Sequence, residues 1–260
     1  MSQHRLRESG LTVPELLIVM AVSIILMAVI TSFGLHYWAN SATLKADQET
    51  LVSRLNTGDY IRQAVSSASG MITQNDLTDA HTMKADPSIS SGLYWLPIHA
   101  IPGTTTMPSS GSYTPLLYMS RPSINTSKNI IMNGSIPYQD DVILYLNGTT
   151  KQLLARVIAN SSASNNRAQT SCPAAQATTS CPADAVLADD VSSIGMRYFS
   201  RSGNTIDYTS STDSITGAYN GPDFPSVEVV ELTLGLSRKG QVHNGGTTSN
   251  QTVIRVALRN

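Results

Sequence analysis

The residues whose chemistry is easiest to constrain are two cysteines. Cys172 and Cys181 stand in SCPAAQATTSCP with eight residues between them. That spacing is not the C-x-x-C of a redox centre, and a zinc site needs more ligands than lie nearby. Outside a reducing compartment the pair is expected to close a small disulfide ring, with about 2–3 kcal/mol from loop closure. In a cytosolic domain the two would be free thiols. Either way the ring is expected to tidy a loop and not to hold the fold together. The histidines are His4, His36, His81, His99 and His243, none in H-E-x-x-H or paired spacing, and neither G-x-S-x-G nor a P-loop occurs. No catalytic constellation is readable, so a protein that is not an enzyme is expected. The pairs Asp140-Asp141 and Asp189-Asp190, with Asp76 and Asp79, lack EF-hand spacing. They are expected to be exposed turn carboxylates; calcium is the one cation they could hold, and no cofactor is expected. The N-x-S/T triplets at Asn125, Asn133, Asn147, Asn160 and Asn250 follow from abundant Asn, Ser and Thr.

One more carboxylate stands in an odd place. Glu15 heads the run LLIVMAVSIILMAVI, and no Asp, Glu, Lys or Arg follows until Lys45. With Thr31 to Leu35 the run reaches about 20 residues, the length that spans a hydrocarbon core of roughly 30 Å. Arg5 and Arg7 precede it, so the positive-inside bias puts the N-terminus in the cytoplasm and the remaining roughly 200 residues outside. A secretory signal peptide is the alternative, with a poor cleavage site at Ala39 or Ala42, but it is shorter than this run and leaves Glu15 unexplained. Composition agrees with an extracytoplasmic domain. Only 13% of the residues are charged, about half the usual fraction. The formal net charge of -1 gives no basic field for holding nucleic acid.

A basic leader ending in Gly10, then Leu11, Thr12, Glu15 as the fifth residue after the glycine, and the apolar run: this arrangement resembles the type IV prepilin and pseudopilin signal. The resemblance implies that prepilin peptidase cuts between Gly10 and Leu11 and that the new amino group of Leu11 is methylated. It also implies partners, namely other pilin or pseudopilin subunits, the cytoplasmic membrane and a pilus assembly platform, and it implies that Glu15 meets the amino terminus of a neighbouring subunit. An ionised side chain in a bilayer costs roughly 2.5–3.5 kcal/mol at a helix centre and less near its end, so such a group usually has a partner. Two residues depart from the family's commonest pattern: Leu11 stands where Phe is usual, and Pro14 where Leu or Ile is commoner. Proline in a first helical turn removes an N–H that would have had no acceptor anyway.

These residues need elements to position them. No proline occurs from residue 15 to 86, which predicts one helix from about Thr12 to Ser66, roughly 80 Å long. Its first part, Leu11 to Leu35, is the membrane segment. The continuation over 36–66 carries Leu44, Leu51, Val52, Leu55, Ile61 and Val65, a stripe that a folded domain must cover. Gly34 and Gly58 are weak points, and the NTGD at 56–59 offers an early end. Residues 67–135 read as loops with two short strands, LYWLPI at 93–98 and LLYM at 116–119, separated by the turn-rich PGTTTMPSSGSYTP. DVILYLNGTTKQLLARVIA is a hairpin, with Asn147 and Gly148 supplying positive φ. SIGMRYFSRSGNTIDYTS reads as strand, turn, strand.

In the last quarter, VEVVELTLGLS and TVIRVALRN alternate: Val230, Leu232, Leu234, Leu236, Ile254, Val256 and Leu258 oppose Glu231, Thr233, Arg255 and Arg259. The expected fold is α+β and type IV pilin-like, a long N-terminal helix packed on a mainly antiparallel C-terminal sheet. This strand order, with LADDV before it, is similar to larger minor pilins and J-type minor pseudopilins. A tip-proximal structural subunit that helps start fibre assembly is the function this implies. A membrane-anchored binding module, an adhesin or DNA-uptake receptor, is the alternative.

Overall fold

The computed structural model describes residues 12–71, 79, 103–106, 113–206, 227–239 and 247–258. Helix α1 runs without interruption over Val13–Ser66. The chain divides at Gln48 into two compact units, one carrying α1 up to that residue and the other its continuation with the sheets.

In the first unit the helix is apolar all round from Leu16 to Leu35, interrupted only by small residues and hydroxyls. Val13, Leu16, Ile24, Ile30, Phe33 and Leu35 are all more than half exposed, and so are Tyr37 and Trp38 beyond them. The helix is long and apolar enough to cross a membrane, and none of its most apolar stretch is buried. Two of its hydroxyls bond within the helix: Thr31 Oγ1 donates to the carbonyl of Met27 at 2.7 Å and Thr43 Oγ1 to that of Ala39 at 3.0 Å. Gly34 does not break it.

In the second unit α1 buries Thr50, Thr57, Gly58, Ile61, Ala64 and Val65. Four of these six are small, which lets the backbone come close to the sheets. The NTGD segment does not end the helix, because the Thr57 hydroxyl shares its proton between the carbonyls of Ser53, at 2.7 Å, and Leu187. A Cβ at Gly58 would sit 3.8 Å from Ile254. Arg54 staples the same face, its Nε donating to Thr252 Oγ1 at 2.9 Å and its Nη2 to the Gln251 carbonyl at 2.8 Å. The expected apolar stripe is only partly covered. Ile61 and Val65 are buried, whereas Leu44, Leu51, Val52 and Leu55 remain exposed. No glycine caps the end; Ser66 and Ser67 turn their hydroxyls back to the carbonyls of Gln63 and Ala64.

The strands sort into two antiparallel sheets. The first has the order β1–β3–β6–β7–β8, from β1 (Gly70–Met71), β3 (Tyr113–Pro122), β6 (Gln139–Asn147), β7 (Gln152–Ile158) and β8 (Ala185–Ala188). The second has the order β10–β9–β11–β12, from β9 (Val191–Phe199), β10 (Thr205–Ile206), β11 (Val229–Lys239) and β12 (Thr247–Ala257). Strand β2 (Gly103–Thr106) also pairs with β9, from Gly103↔Met196 to Thr106↔Ser193, so part of the expected loop PGTTTMPSSGSYTP is strand. A minor pair, β4 (Met132–Asn133) with β5 (Ile136–Pro137), stands apart.

One core joins α1 and both sheets, with Ile61, Val65, Leu117, Val142, Leu144, Leu153, Ile194, Leu232, Leu234 and Ile254 among its members. The other face of the first sheet buries Tyr118, Ile143, Tyr145 and Leu154. A sheet covered on both faces reads as continuous apolar runs, which is why LLYM and VILYL do not alternate. The second sheet has one buried face, and the alternation expected at Val230 to Leu236 and at Ile254 to Leu258 is observed, with Glu231 and Thr233 half-buried and Arg255 exposed on the other side. The β6–β7 hairpin forms as expected, but its positive-φ residue is Lys151 (φ 54°), not Asn147 or Gly148. Asn147 acts through its side chain, accepting from the N–H groups of Thr149 and Thr150 in a four-residue loop. The β9–β10 turn carries Gly203 at φ 82°, where any side chain would be strained.

Candidate functional site

Two places hold a charged side chain in unusual surroundings, one at the head of an apolar helix and one in the interior. The first is the head of α1. Glu15 Oε2 accepts from both the N–H and the Oγ1 of Thr12, each at 2.9 Å, and the N–H of Leu16 bonds the Thr12 carbonyl at 3.1 Å. Thr12 is thus the N-cap and Glu15 the third helical residue, a variant of the capping box in T-x-x-E. Pro14 lies between them, where its missing N–H leaves no hydrogen bond unmade. The result is a carboxylate fixed by Thr12 at the start of an uncovered apolar helix. Gly10 and Leu11, the expected cleavage and methylation positions, lie outside the described residues, as do Asp76, His4, His81, His99, His243, Arg259 and the strand expected at 93–98.

The second place is internal. Arg156 on β7 is wholly buried and binds Asp184 in two parallel bonds, Nε to Oδ1 and Nη2 to Oδ2, each at 2.7 Å. Its Nη1 bonds Asp79 Oδ2 at 2.6 Å. Tyr145, one strand away on β6, donates to Asp184 Oδ2 at 2.6 Å, and Ser171 Oγ donates to Asp184 Oδ1 at the same distance. Burial works against the charge on Arg156, but hydrogen bonding and attraction from Asp184 and Asp79 outweigh it and raise the pKa. Burial, with the neighbouring Asp184 carboxylate, pushes the Tyr145 phenol well up, so it stays a donor. Two carboxylates, one guanidinium and two hydroxyls thus satisfy one another in the dry interior.

Asp184 reaches Arg156 through the disulfide loop. Cys172 and Cys181 are bonded, with their Cα atoms 5.6 Å apart. The Cys172 N–H bonds the Pro182 carbonyl and the Asp184 N–H bonds the Cys172 carbonyl, each at 2.8 Å. The two stems of that loop therefore deliver Ser171 and Asp184 side by side, and the ring borders the buried cluster instead of only trimming a surface loop.

The acidic pairs behave differently from the expectation of exposed turn carboxylates. Asp79 and Asp140 are buried, Asp141 and Asp190 are half-buried, and Asp189 alone of those described is exposed. Asp140 Oδ1 accepts from Ser123 Oγ, Asn166 Nδ2 and the Asn160 N–H at 2.7 to 2.9 Å, so it locks the end of β6 to the following loops. Asp141 accepts from Ser120 at 2.7 Å and Asp189 from Gln152 at 2.7 Å. Among the described residues no group of three or more His, Cys, Asp or Glu is gathered as a metal site would require.

Sequence reasoning found Glu15 and the disulfide but not their immediate partners. The capping signal T-x-x-E was readable at residues 12 to 15. The Arg156 cluster had no comparable local signal, since its carboxylates lie 77 and 28 positions away.

No protein-family model matches the chain, and no curated protein matches it in sequence at a significant level. What the fold defines is an α+β protein whose long N-terminal helix packs, over its last third, on antiparallel sheets.

Proposed function

We propose that this chain is a minor pilin or pseudopilin, a structural subunit and not an enzyme. In this reading prepilin peptidase cuts between Gly10 and Leu11, Leu11 is N-methylated, and the helix holds the chain in the cytoplasmic membrane with its sheets outside. The subunit then leaves the bilayer through the assembly platform and joins a type IV pilus or secretion pseudopilus near its tip, where it helps start assembly. The observation that carries the reading is α1: one helix, apolar and uncovered to Leu35, packed on the sheets from Thr50, with a carboxylate capped at its head. An uncovered apolar half suits lipid first and other subunits later. A carboxylate in that half gains a natural counter-charge once cleavage creates an amino terminus.

Intact-mass spectrometry of the chain from cells with active prepilin peptidase is the first test. The expected product begins at Leu11 and carries one extra methyl group; a chain still beginning at Met1 would rule the reading out. The role of the charge is separated from that of the cap by Glu15→Gln, which keeps an acceptor for Thr12 but carries no charge. Cleavage should persist and incorporation into fibres should fall. Equal incorporation would leave Glu15 as a helix cap alone.

A further inference from the structure

A groove of about 630 Å³ lies beside the last turns of α1, between the helix and the loops that leave β3 and β7. Arg121 and Arg167 line it, with Tyr60, Gln63, Ile124 and Ile130, and among the described residues no acidic side chain does. Most arginines here are engaged: Arg54 with Thr252 and Gln251, Arg62 with Asp59, Arg156 with Asp79 and Asp184, Arg197 with Glu231, and Arg255 over the ring of Phe199. Among the described residues the guanidinium groups of Arg121, Arg167 and the exposed Arg201 have no such partner, and the first two line this one groove. Asp140 stands opposite Arg121 in the β3–β6 register, but its bonds go to Ser123, Asn160 and Asn166.

The polar groups lining the groove are mainly donors. Burial pushes the Tyr60 phenol up, against a smaller opposing effect of Arg121, so its hydroxyl keeps its proton. The Gln63 amide can add a further N–H. Planar guanidiniums beside an apolar floor match a carboxylate attached to an apolar body. The apolar side continues out of the groove: Ile130 is 53% exposed and Met132, two residues on, 49%. Such an edge fits a polypeptide better than a sugar. Two guanidiniums on a chain of net charge -1 are too few to hold a nucleic-acid backbone.

We propose that this groove binds an acidic peptide segment of another protein, with Arg121 and Arg167 on its carboxylate and Ile124 and Ile130 against a neighbouring apolar side chain. The assignment stands whether or not the chain enters a fibre. Panning a phage-displayed random heptapeptide library on the full chain in detergent micelles tests it. Peptides with Asp or Glu next to Leu, Ile or Phe should be enriched, and the enrichment should vanish on a chain carrying Arg121→Gln and Arg167→Gln. The best synthetic peptide should bind at least 10-fold more weakly when its acidic residues become amides. Arg167→Gln alone, at an exposed position, should weaken it about 5-fold with an unchanged melting curve. No enrichment, enrichment without acidic residues, or equal enrichment on the double variant would overturn the proposal. Displacement of the peptide by inorganic phosphate at matching concentration would also overturn it, by making the groove a generic anion site.

Discussion

From Val13 to Gln48, α1 is crowded with large apolar side chains, and they are uncovered; from Glu49 to Ser66 it has fewer, and that half is the one built into the core. The difference shows that apolar content does not decide where a core forms. Thr57, Gly58 and Ala64 contribute little apolar area, yet they let the backbone approach Leu187 and Ile254, and only the larger Ile61 and Val65 fill the space beside them. Close packing depends on shape, and small residues supply the fit. The uncovered part also carries a small face, with Ala21, Ala28, Ser32 and Ala39 in line along the helix, so small residues alone do not make a core either.

The two units also treat charge differently. Glu15 is partnered locally by Thr12 and stays exposed, while Arg156 is enclosed by residues brought from distant segments. Changes at the enclosed site should therefore be the more damaging. Arg156→Ala strands Asp79 and Asp184 in the interior, and denaturant melts of the chain should show a loss of about 3–5 kcal/mol. A loss under 1 kcal/mol would mean that water reaches the carboxylates.

Ile25→Arg puts a charge into the uncovered half. It should cost about 2.5–3.5 kcal/mol of membrane insertion, seen as a rise in the fraction released by alkaline carbonate, with the melt of the sheet-bearing unit unchanged. If that melt fell as well, the two halves would not be independent.

The smallest effects come from the two helix glycines. Gly58→Ala should stabilise the second unit by about 0.5–1 kcal/mol, because the helix prefers alanine and the new Cβ meets Ile254 at an ordinary contact of 3.8 Å. Gly34→Ala, in open space within an unbroken helix, should leave both that melt and the helix content by circular dichroism unchanged. Equal shifts in the melt from both changes would erase the contrast.

Much of this architecture was legible in the sequence. The proline-free stretch and the polar–apolar alternation at Val230 and Ile254 are local patterns, and each became the expected element. The disulfide is expected from spacing if the domain lies outside a reducing compartment, and the bond is present. What escaped was non-local. Strand β2 is a run of threonines that means little until β9 is beside it. Arg156 looks like an outward residue of a half-buried strand, and only the cover supplied by Asp79, Ser171 and Asp184 makes it an inward one. The positive φ at Lys151 was assigned to the residues where hairpins usually carry it, because loop length was unknown.

The contact between Arg54 and Thr252 spans 198 positions. At synthesis rates of roughly 5–20 residues per second, about 10–40 s separate the two residues on the ribosome. Through that interval the second half of α1 has been made, but the strand that covers Gly58 and receives Arg54 has not. Among the described elements α1 is made before any strand, and its face at Gly58 is among the last to be enclosed, so that face stays open until β12 exists even though Ile61 and Val65 can already pack on the first sheet.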